Sequence, residues 1–98
     1  MENVVNVKDK INLETSKIAW QDLQRFFASG SAICVCNDLD LVEVAHQFTI
    51  DNAAKVTNWL ESGQIARVSD YQAGDWLARD AQVWAVVVKP WILVQESA

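Results

Sequence analysis

The sequence predicts an α+β domain: four to five helices packed on a small, mainly antiparallel sheet that ends in a C-terminal strand pair. Three observations carry this. Residues 83–96, VWAVVVKPWILVQE, hold ten apolar residues in their first twelve, too many for a strand with one wet face, so both faces should be covered. Apolar residues recur at helical spacing over 41–48 and 53–60. Helices and short strands interleave and then end in an apparent hairpin, which favours α+β over a doubly wound sheet.

Taken in order, Val4, Val7 and Ile11 at i, i+3, i+7 predict a weak amphipathic helix over 4–14, with Thr15-Ser16 as a break. Trp20, Leu23 and Phe27 mark a firmer helix over 19–29, and Gly30 stands where a C-terminal cap belongs. Residues 32–36 read as a short buried strand. Leu41, Val44, Ala45 and Phe48 give the next helix. Asp51 is the candidate cap of the one after it, which carries Ala53, Val56, Trp59 and Leu60 and stops at Gly63. A second strand follows at 64–68. Ser69 and Gln72 fit a capping box, and Ala73, Trp76, Leu77 and Ala81 form one face behind it.

A straight strand over 83–96 would span roughly 46 Å, whereas a domain of this size is about 32 Å across. The run must therefore turn, bend or leave the domain, and Lys89-Pro90 is the place. Both a hairpin and a bent strand satisfy this, the hairpin requiring a cis bond before Pro90. In a hairpin, Trp84, Val86, Val88, Trp91 and Leu93 share one face, and Val83, Ala85, Val87, Ile92 and Val94 the other.

Ninety-eight residues make one domain, 1–98, with residues 1–10 allowed to fray. Apolar content of 51% against 21% charged is globular. The N-terminus MENVVNVKDK carries charges where a signal peptide is apolar, and no stretch reaches membrane length, so a cytoplasmic location is expected. A net charge of −5 works against binding nucleic acid or anionic lipid through a general field.

At this point the residues resemble a known family. Asn12-Leu13-Glu14-Thr15, Ile18-Ala19-Trp20-Gln21-Asp22-Leu23 and Phe26-Phe27-Ala28-Ser29-Gly30 are similar to the opening block of small bacterial proteins grouped as domain of unknown function 2288. Blocks 39–45, 56–63 and 80–96, with Trp84-Ala85-Val86-Val87-Val88 and Pro90-Trp91, are similar as well, so the resemblance runs from about residue 11 to 96. It implies a bacterial cytoplasmic protein and supplies no activity and no catalytic residue. Cys34 and Cys36 lie outside the pattern.

Several residues are candidate sites. Cys34 and Cys36, spaced i, i+2, lie too far apart on a strand for an easy disulfide, and with one histidine they fall short of a zinc set, so they read as small apolar residues. His46 stands beside the apolar face of its helix, three residues after Glu43, and could serve a small enzyme as general base. Asp38 and Asp40 precede a helix, where carboxylates cap. Asp70, Asp75 and Asp80 step about 140° each round a helix and do not converge. No phosphate loop or nucleophile motif is present, which disfavours catalysis; no catalytic residue, metal or cofactor is expected.

Helix 41–48, a short connection, helix 51–63, a strand and a later hairpin also follow the order of a winged helix, so the alternative reading is a winged-helix-like transcriptional regulator or DNA-associated adaptor. Its recognition helix would expose Asp51, Asn52, Lys55, Thr57, Asn58, Glu61 and Ser62, a formal charge of −1, poor for phosphate contact. The five tryptophans favour another reading. They exceed what one small core readily hides, and tryptophan is enriched at interfaces. The expectation is a non-enzymatic protein-interaction domain that forms a homodimer through a surface including Trp76, Trp84 or Trp91. The spread of the basic side chains discriminates the two readings: one basic face for DNA, scattered placement for protein.

Overall fold

The computed structural model describes residues 11 and 14–97. The chain runs β1 (Ser16–Ala19), a 3₁₀ turn (Trp20–Leu23), α1 (Gln24–Ala28), β2 (Ala32–Val35), α2 (Leu41–Thr49), α3 (Ala53–Ser62), β3 (Ile65–Arg67), α4 (Asp70–Ala78), β4 (Gln82–Val88) and β5 (Trp91–Glu96). The expected helix over 4–14 falls almost wholly outside the described residues.

The apolar C-terminal run folds as a hairpin, with Val88 paired to Trp91 across Lys89-Pro90, whose peptide bond is cis. The strands stand in the order β1-β4-β5-β2-β3, so both hairpin strands are interior. All pairings are antiparallel except β2 with β5, which makes the sheet mixed. The register Val86↔Leu93 and Ala85↔Val94 sorts the hairpin side chains into the two faces expected from alternation. On one face Val86 and Leu93 join Ile33, Val35, Leu41, Val44, Ala45 and Ile65 beneath α2 and α3. On the other, Val83, Ala85, Ile92 and Val94 pack with Trp20, Leu23, Ala73 and Trp76 from the 3₁₀ turn and α4. The sheet is thus a middle layer with helix on both sides, each fully buried Val, Leu or Ile contributing about 1.5–3 kcal/mol.

Local chemistry sets the helix ends. Asp40 accepts from Val42 N–H and starts α2. Asn52, not Asp51, caps α3 by accepting from Lys55 N–H; Asp51 instead takes a left-handed turn conformation, φ 59°. Gly63 ends α3 at φ 80°, the left-handed position that glycine occupies without Cβ strain. Ser69 Oγ accepts from Gln72 N–H, one half of the expected capping box. Buried Gln47 bridges the α2–α3 turn, donating to Glu43 Oε2 at 2.7 Å and accepting from Asn52 Nδ2 at 2.8 Å.

The helix expected over 19–29 is corrected. Residues 16–19 form β1, and Trp20 N–H continues that ladder by donating to Ala81 O at 2.9 Å. Only 24–28 is α-helical. Pairing to β4 overrides the weak local helical pattern here, while the Trp20 ring is drawn wholly into the core, where its Nε1 donates to Ala73 O. Two further expectations shift. Leu77 is exposed, being one residue round from buried Trp76, and Ala81 lies past the end of α4, although it still packs on the core. The helix pair α2–α3 followed by β3 is present, and so is a hairpin. Both belong to a five-stranded sheet covered on two sides, so the likeness to a winged helix extends only to element order.

Candidate interaction surface

The three tryptophans expected at a surface part company. Trp76 is corrected: it is only 1% exposed, packed edge-on against Trp20 with ring centroids 5.0 Å apart, and its Nε1 donates to Glu96 Oε1 at 3.2 Å. A ring so enclosed cannot meet a partner. Trp84, 41% exposed, and half-buried Trp91 lie on the same sheet face, the one beneath α2. Register separates them, since Trp84 pairs with Gln95 at one end of the hairpin while Trp91 closes the other. Four residues of strand put them about 13 Å apart, and α2 spans the gap from Leu41 near Trp84 to Phe48 near Trp91.

Trp84 floors a concavity of about 370 Å³ walled by Thr15, Asp40, Leu41, Val42 and Gln95. Its lining is mixed. Asp40 is engaged as the α2 cap, Gln95 Nε2 donates to the carbonyls of Cys36 and Leu39, and Lys17 Nζ stands 5.9 Å above the indole.

Trp91 lines two clefts of about 220 Å³ each, which also share Phe48 and Val56. One adds Ile33, Leu60, Ile65 and Arg67, and the other Asp51, Ala53 and Thr57. The helical spacing of α3 assigned Leu60 to the core, yet it is 51% exposed. Trp59 and Leu60 are sequence neighbours about 100° apart round the helix, and it is Trp59 that packs on the core. That adjacency was the signal for a surface apolar residue. Arg67 and Asp51 carried no such signal, because only β3 and the left-handed turn bring them beside Trp91.

The charges are dispersed. Four basic residues each sit over an aromatic ring: Lys17 on Trp84, Arg25 on Phe26, Lys55 on Trp59 and Arg67 on Trp91, at 5.0–5.9 Å. Arg79 binds Asp75 and Glu96 instead. These residues occupy both sheet faces and the β3 edge. Asp75 is thereby separated in role from Asp70 in the first turn of α4 and from Asp80, which ends that helix region at φ 52°. Among the described residues, no three His, Cys, Asp or Glu side chains group as metal ligands would.

His46 lines none of these clefts; its Nδ1 is buried and has no hydrogen-bond partner among the described residues, so none of them orients that nitrogen as a base requires. The two thiols are free and half-buried rather than wholly enclosed. They share a groove of about 300 Å³ with Gln64, Ala66, Ser69 and Gln72. Burial pushes the Cys34 thiol above its ordinary range, against a smaller opposing effect of a hydrogen bond from Gln72. That holds it protonated and weakly nucleophilic.

Residues 6–96 match the model of a family described as protein of unknown function DUF2288. The chain belongs to that family. Comparison with curated proteins gives no match. Among solved structures, the chain is similar to PA1075 from Pseudomonas aeruginosa, determined in solution by NMR. The two share 43% identity with a TM-score of 0.83, over 99% of this chain and 90% of that one.

Proposed function

We propose that this protein is a non-enzymatic interaction domain that associates with itself. The observation that carries the reading is the strip at Trp91: a half-buried indole, a half-exposed Leu60 and two clefts that meet at the ring. Apolar surface of this kind, centred on an aromatic and edged by charge, is what interfaces present. The scattered basic residues support protein contact over a DNA-facing role, since among the described residues the cations sit apart over separate rings rather than on one helix face. Sedimentation velocity at micromolar concentration tests it. The expected species is a dimer, at twice the 11.0 kDa chain mass, dissociating on dilution. A species of 11.0 kDa that is unchanged on tenfold concentration refutes it.

A further inference from the structure

Resting on that self-association, we infer that the Trp91 strip is a two-fold interface in which each copy's Arg67 meets the other's Asp51. The strip has an apolar centre, built from Ile33, Phe48, Val56, Leu60, Ile65 and Trp91. Two charges of opposite sign border it: Arg67 lines one of the two clefts that meet at Trp91, and Asp51 lines the other. Neither forms an ion pair among the described residues: Arg67 lies over the ring at 5.7 Å, and Asp51 is exposed in its turn.

A cation in one cleft and an anion in the adjoining cleft, with one aromatic ring shared between them, make a patch that a second copy can complement. A two-fold axis through Trp91 exchanges the clefts, so that the guanidinium of one copy arrives at the carboxylate of the other, twice. An unrelated partner would impose no such symmetry, which is why the occupant is a second copy. The Trp84 concavity lacks this property, because its one carboxylate is occupied by the α2 backbone. A specific interface removes roughly 800 Å² per partner, about an eighth of the 6207 Å² that the chain exposes.

The test is a charge exchange read by sedimentation. Arg67→Asp and Asp51→Lys should each weaken dimerisation at least tenfold, since each homodimer then faces like charges. Mixed in equal amounts they should form a heterodimer of near-wild-type affinity, because Asp at 67 meets Lys at 51 while the native Asp51 meets the native Arg67. Leu60→Arg, an exposed helical position, should abolish the dimer without loss of fold by circular dichroism. Because position 51 is left-handed and a lysine there could unfold the turn, Asp51→Asn provides a second arm: asparagine tolerates that conformation and removes only the charge. Weakening by Asp51→Asn supports the pairing, and wild-type affinity overturns it. If wild-type protein dimerises but the variants do too, or the mixture stays monomeric, this interface is wrong while self-association stands. If wild-type protein is monomeric, both readings fall.

Discussion

Replacing Trp76 with phenylalanine tests how the end of the sheet is tied to α4. Phenylalanine keeps an aromatic ring against Trp20 but loses the indole N–H that donates to Glu96 Oε1. Hydrogen bonds to charged acceptors contribute about 1.5–3 kcal/mol when enclosed. Glu96 is 39% exposed and also held by Arg79, so the lower end, about 1–1.5 kcal/mol, applies. The smaller ring leaves a void in a site that is 1% exposed, costing about another 1 kcal/mol. The sum, about 2–2.5 kcal/mol, corresponds to a fall in Tm of about 8–20 °C for a domain this size. Urea unfolding followed by circular dichroism, with Glu96→Ala and the double variant completing the cycle, separates the parts. A coupling energy near 1 kcal/mol is expected. If the two changes are strictly additive, the indole hydrogen bond contributes nothing and the reasoning fails.

Three further outcomes follow from single sites. Asp80 sits at φ 52°, so Asp80→Val should cost about 1–2 kcal/mol while Asp80→Gly stays within about 1 kcal/mol of wild type, measured by urea midpoint; equal stability of the two would refute the backbone argument. His46→Leu removes a buried nitrogen that has no partner, and should leave the fold intact and unfolding free energy unchanged or raised by up to about 1 kcal/mol. A clear loss would mean that His46 makes a contact the protein depends on. The Cys34 thiol has its pKa raised in the folded state relative to the unfolded chain, so its contribution to stability is complete below the ordinary thiol range and declines as pH rises through the folded value. Cys34→Ala should flatten that alkaline decline, and a decline of unchanged size would show that other groups cause it.

Much of the fold was legible because the strongest patterns are long. Residues 83–94 had to be enclosed strand that turns or bends at Lys89-Pro90, and 41–48 and 53–60 each carried one apolar stripe at helical spacing. What escaped was decided by partners distant in sequence. Ser16–Ala19 is four residues with weak alternation, and becomes a strand because β4 offers its edge. Trp20 reads as the start of a helix, yet it ends that ladder and sinks between α4 and the sheet. The surface was legible in part: Trp84 and Trp91 do reach it, while nothing in the spacing distinguishes Trp76 from them. Its burial follows from the Trp20 ring and the Glu96 carboxylate, which approach it from elsewhere in the chain.

The way the chain treats its surplus indoles narrows which surface matters. Two of the five tryptophans, Trp20 and Trp76, are fully enclosed and hydrogen-bonded. The other three stay at the boundary, each with a basic side chain over its face. A cation above a ring is worth about 0.5–1 kcal/mol at such sites and shields it from other contacts, so capping alone would account for three solitary rings. Trp91 is not solitary. Leu60 and Val56 continue the apolar surface beside it, and Leu60 is 51% exposed on a helix that could have carried a lysine there. Its neighbour Trp59 shows that α3 had its inward position filled already. An outward leucine beside an indole lowers the solubility of a monomer and adds nothing to its core. Association through that face is the condition under which the same residue becomes stabilising.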